Sequence, residues 1–132
     1  MTQEEKDLLL KDLCGRMPYG IKCQVQEDEY TYIGTLCRLE VDNKNGNLLD
    51  FVESISGLDC QVYLSEAKPY LFPLESMTEE QWKELRSTMT ENSFGVLYYN
   101  LKSYDYFYKN HIDIRGLIPR GLAINATGLN IY

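Results

Sequence analysis

His111 is the single histidine of this 132-residue chain, and it sits in Asn110-His111-Ile112-Asp113-Ile114-Arg115-Gly116. Serine hydrolysis by a Ser-His pair would also want a G-x-S-x-G elbow, and the chain has none. A Cys–His pair would have to draw on Cys14, Cys23, Cys37 or Cys60. Cys23, Cys37 and Cys60 fall on the apolar phase of strand-like segments, beside Ile, Val and Leu, so they read as small core hydrophobes rather than reactive thiols. No two cysteines form a C-x-x-C pair, and one histidine does not make a zinc set. Gly34 and Gly46 stand alone and neither opens a helix, so there is no phosphate-binding loop. The twenty acids can be paired in many ways, and pairing alone carries no glycosidase argument. No catalytic residue, metal ligand or cofactor is assigned from these patterns.

The residues around His111 have two readings. In one, Asp113 caps a short helix and Arg115 is an ion-pair partner at a junction. In the other, Lys109, His111, Arg115 and Arg120 form a polar recognition patch for an acidic partner. Under the second, replacing Arg115 and Arg120 by Ala abolishes partner binding and leaves the melting temperature unchanged. Tyr30, Tyr32 and Tyr63 are the other binding candidates, as aromatic residues of an outer sheet face.

These side chains need elements to hold them. Thr2 with Glu5 is a capping box, and Leu9, Leu10 and Leu13 continue at helical spacing until Gly15, which reads as the stop. Ile21 to Gln26 alternates with period two, Glu27-Asp28-Glu29 reads as a turn, and Tyr30 to Val41 as a long strand. Within it Ile33, Cys37, Leu39 and Val41 share one phase, and Gly34 marks an expected bulge. Asn45-Gly46 is the signature of a tight hairpin. Leu48 to Ser54 and Leu58 to Leu64 are further strands, and the two prolines of Lys68 to Leu74 make that stretch an edge strand or an extended segment covering the core. Thr78 with Gln81 caps a second helix carrying Trp82, Leu85 and Met89. From Val96 to Asn110 the aromatic run reads as a third helix, with Val96, Leu97, Leu101, Tyr104 and Tyr108 on one face, and its β-prone aromatics make a strand pair the alternative. The closing residues from Asn125 look irregular.

A helix, then grouped strands, then grouped helices is an α+β order. It fits a small antiparallel SH3-like or Sm-like barrel or meander over residues 1–75, with a helical appendage over 76–132, in one domain. The net charge of −7 argues against binding phosphate backbones. The charge is split: residues 1–94 carry nine Lys/Arg and eighteen Asp/Glu, and residues 95–132 carry four and two. The C-terminal part is thus mildly basic, and it is rich in aromatics. Eleven of the sixteen aromatic residues are Tyr, a residue suited to half-buried surfaces and interfaces. No apolar run approaches a membrane span, the opening Met1-Thr2-Gln3-Glu4-Glu5 is unlike a signal peptide, and the cytoplasm is the expected compartment.

Three stretches carry a resemblance: Lys11 to Gly20, Lys68 to Leu74 with Ser76-Met77-Thr78, and Asn110 to Ile118. They resemble a family of uncharacterised small proteins of gut Bacteroidetes and their phages or prophages. That family places aromatics after the His and before the Arg, where this chain has Ile112 and Ile114. The resemblance implies an accessory protein of a mobile element, acting in the host cytoplasm. The expected function is a non-enzymatic protein-interaction module. The alternatives are a nucleic-acid-associated small barrel that stacks bases on its tyrosines, and an enzyme whose site is assembled from scattered residues. A homo-oligomer is compatible with each.

Overall fold

The computed structural model describes residues 1–42 and 46–132. Helix α1 (Gln3–Arg16) opens on Thr2, whose hydroxyl accepts from the Glu5 amide while the Glu5 carboxylate accepts from the Thr2 amide. Five strands follow: β1 (Lys22–Glu27), β2 (Tyr30–Asp42), β3 (Gly46–Glu53), β4 (Asp59–Tyr63) and β5 (Ala67–Pro73). A short 3-10 turn, Leu64–Glu66, separates the last two. Then come α2 (Glu79–Thr88), a hairpin of β6 (Thr90–Glu91) and β7 (Leu97–Tyr98), α3 (Leu101–Lys109), and two short strands, β8 (Ile112–Asp113) and β9 (Ile124–Asn125). The result is a mixed α+β protein with an N-terminal helix, a seven-stranded sheet and C-terminal helices. The sheet order is β4-β3-β2-β1-β5-β8, with β9 also on β5, and no ladder joins β4 to β5 among the described residues.

The ladders β1 to β5 are antiparallel, whereas β8 and β9 run parallel to β5. The expected edge strand is therefore flanked on both sides, but by halves. Ala67, Lys68 and Pro69 face β1, and Tyr70 to Pro73 face β9 and β8. The prolines fit because the ladder changes partner along the strand. The expected helical appendage over 76–132 is helical only in α2 and α3. Beyond Lys109 the chain returns to the sheet, and Leu117, Leu122 and Ala123 enter the main core beside Leu9, Leu13, Ile21, Val25, Leu49 and Phe51. A second core joins α2 and α3 through Met77, Leu85, Phe107 and Ile112.

Strand β2 departs from its expected phase. The register shift lies between Leu36 and Arg38, not at Gly34. An inserted residue flips every later side chain to the other face. So Tyr32 and Leu36 face the core, Leu39 packs against it after the shift, and Cys37 is exposed. Gly34 serves packing: a Cβ there would stand 2.9 Å from the Phe51 Cβ. Part of the Asn-Gly hairpin, residues 43–45, lies outside the described residues.

Candidate functional site

Where α1, α3 and β8 meet, the polar residues singled out from the sequence are bound to one another. Asp12 and Arg16, one helical turn apart, are both fully buried. Arg16 Nε donates to Asp12 Oδ2 at 2.7 Å, and its Nη2 donates to the Ile112 carbonyl at 2.6 Å. Arg115 comes from the far end of the chain to the other oxygen: Nη1 donates to Asp12 Oδ1 at 2.8 Å, and Nη2 donates to the Tyr108 hydroxyl at 2.8 Å. One carboxylate thus holds two guanidinium groups, and both lie over the Tyr108 ring, at 5.3 and 5.5 Å from its centre. Tyr108 in turn lies on the Gly15 Cα. A Cβ there would stand 2.6 Å from the Tyr108 Cζ, so helix α1 runs through Gly15 rather than stopping at it.

His111 sits beside this cluster. Its backbone is left-handed (φ 57°), its carbonyl accepts from the Phe72 amide at 2.8 Å, and its ring stacks on Tyr132. Burial, then the positive charges of Arg16 and Lys22, push its pKa down to about 4. A neutral imidazole buried against cations is not poised as a general base near neutral pH. The Tyr132 hydroxyl accepts from the Lys22 amide at 3.0 Å and donates to the Tyr70 carbonyl at 2.8 Å, closing the fork where β1 and β5 part. Asp113 lies in β8 rather than opening a helix, and its carboxylate accepts from the amides of Leu117 and Ile118.

The proposed cationic patch is therefore divided. Arg115 is turned inward and His111 is stacked, while Lys109 is exposed in the last turn of α3. Arg120 lies exposed at a cleft of about 270 Å³ lined by Met1, Glu5, Ser65, Lys68 and Leu122. The three tyrosines are also divided. Tyr30 is exposed at the start of β2, and Tyr32 packs against the main core with its hydroxyl toward Glu27. Tyr63 pairs with Leu48, which pairs with Glu40, ten residues along β2 from Tyr30. They share no stacking face. Of the cysteines, Cys23 is buried and Cys60 half-buried, and burial raises the thiol pKa of both. Among the described residues, no cluster of three or more His, Cys, Asp or Glu is placed to hold a metal, and no helix is long and apolar enough to cross a membrane.

The surface that stands out is elsewhere, in the aromatic run. Phe94, Val96, Leu97, Tyr98, Tyr99, Leu101 and Tyr104 are all exposed, Phe94 at 89% and Leu101 at 83%. The expected helix begins only at Leu101, after its cap Asn100, while Leu97 and Tyr98 take the strand alternative. Asn100 accepts from the Ser103 amide, and its Nδ2 donates at 2.7 Å to both the Thr88 carbonyl and the Thr90 hydroxyl. That ties the β6–β7 hairpin to the end of α2. At the hairpin tip, Asn92 Oδ1 accepts from the amides of Phe94 and Val96, and Gly95 takes the left-handed conformation. Tyr99 meets Phe107 edge to face at 5.2 Å, anchoring the patch on the second core. Within α3 the buried pair is Ser103 and Phe107, and Leu101 and Tyr104 point outward. The density of aromatics was the sequence signal, and their exposure was not legible. No protein-family model, curated protein or solved structure matches this chain.

Proposed function

We propose that this chain is a non-enzymatic protein-interaction module and that its binding surface is the aromatic hairpin with the first turn of α3. The observation that carries this is the exposure of seven large apolar and aromatic side chains within eleven residues, on a segment fixed by Asn92 and Asn100. Such a patch on a soluble domain is the usual mark of a protein interface. The residues with catalytic potential support the same reading, since the Asp12 carboxylate is held by Arg16 and Arg115, and Arg115 also donates to the Tyr108 hydroxyl.

The scaffold beneath it is proposed to be SH3-like and incompletely closed. The order β4-β3-β2-β1-β5, the N-terminal helix and the 3-10 turn before β5 support that. The resemblance seen in the sequence supports a role as an accessory of a mobile element in a bacterial host. Photo-crosslinking in the native host tests the surface: benzoylphenylalanine placed at Phe94 should crosslink to protein, and the same group at exposed Tyr30 should not. Equal yields at both positions, or none at position 94, would overturn the reading.

A further inference from the structure

We infer that the partner covering the aromatic hairpin is a second copy of this chain, in a two-fold symmetric dimer. The inference rests on the reading of that hairpin as a protein interface.

Two features select this occupant. The first is size. The exposed run from Phe94 to Tyr104 presents several hundred Å² of mostly apolar surface, approaching the roughly 800 Å² that each partner gives to a standard interface. A single patch is therefore of the scale that one side of a two-fold interface needs. The second is charge. A two-fold interface lays one patch on itself, so a patch of single sign repels its own copy. Outside this region the chain is strongly acidic: residues 1–90 carry nine Lys/Arg and seventeen Asp/Glu, a net charge of −8. The patch itself carries both signs, with Lys102 and Asp105 on the exposed side of α3 and Glu91 on β6. It is thus the part of an acidic molecule that can meet its own copy without a large electrostatic penalty. Tyrosine adds hydroxyl groups that can donate or accept across a two-fold axis, so the same residue type serves both sides.

Sedimentation velocity on the purified full chain, from about 1 to 300 μM at physiological salt, tests this. The expected result is a concentration-dependent monomer–dimer equilibrium. Phe94→Ser with Leu101→Ser should weaken it at least tenfold. Because both side chains are exposed, the melting temperature at low concentration should not change. A control, Ile55→Ser with Leu58→Ser, alters equally exposed residues in the β3–β4 turn and should leave the dimer intact. A monomer throughout the range overturns the inference. So does a dimer that survives the hairpin substitutions or is lost with the control. A monomer whose position 94 crosslinks in the host to a different protein would overturn the dimer alone and leave the interface reading standing.

Discussion

The rings of His111 and Tyr132 lie face to face, with 3.6 Å between their centres and 9° between their planes. The contact joins the end of the chain to the start of β8, and the Tyr132 hydroxyl carries it on to β1 and β5. The one imidazole in the molecule is therefore a packing surface.

Its titration is then a stability term. The folded pKa is lowered to about 4, by burial first and by Arg16 and Lys22 next, against about 6.5 in the unfolded chain. Between these values the unfolded state binds the extra proton, so stability rises with pH. The His111 contribution should be whole above pH 6.5, shrink as pH falls toward 4, and change no further below it. Urea melts of wild type and His111→Phe at several pH values check this. The variant should keep a stacking ring and lose the part of the pH slope due to His111. Identical slopes would refute it.

The ion cluster should behave as a buried unit. Asp12→Asn leaves two guanidinium groups facing each other without a counter-charge, and should cost about 3–5 kcal/mol. Arg115→Ala leaves Asp12 its bond to Arg16 and should cost less. Chemical denaturation of both variants measures the difference. Losses below about 1 kcal/mol for Asp12→Asn would show that the cluster is solvated in solution.

Gly15→Ala tests the contact with Tyr108. Alanine is favoured over glycine in a helix by about 1 kcal/mol. Here the new Cβ would meet the Tyr108 ring, which Arg115 holds in place. Overpacking should win, for a net loss of about 1–2 kcal/mol. In a Tyr108→Leu background the same change should become neutral or stabilising. A double-mutant cycle without coupling would refute the contact.

The local signals of the sequence were legible wherever a few neighbouring residues decide the outcome. The capping boxes at Thr2 and Thr78 open α1 and α2 as expected, and β1 follows its alternation, with Cys23 and Val25 buried. Decisions made by distant residues were not legible. The bulge that exposes Cys37 is a matter of pairing with β3, and Gly15 answers to a tyrosine 93 positions away. Strands β8 and β9 have two residues each and carry no periodicity; they exist because β5 has a free edge to fill. The candidate site divides along the same line. Arg115 was open to both a binding and an ion-pair reading, and only the arrival of Asp12 from α1 makes it internal. The aromatic run was visible as composition, but its outward aim depends on Asn100 reaching back to Thr88.

The most direct test sets the aromatic hairpin against the cationic residues. The crosslinking yield from benzoylphenylalanine at position 94 would be measured in two backgrounds, Leu97→Ser with Leu101→Ser, and Arg120→Ala, alongside the melting temperature of each. All three residues are exposed, so neither background should lower the melting temperature appreciably. The account predicts that the leucine substitutions cut the yield at least tenfold and that Arg120→Ala leaves it unchanged. A yield that survives the leucine substitutions and is lost with Arg120→Ala would contradict it, and would move the binding surface to the cleft beside Lys68 and Glu5.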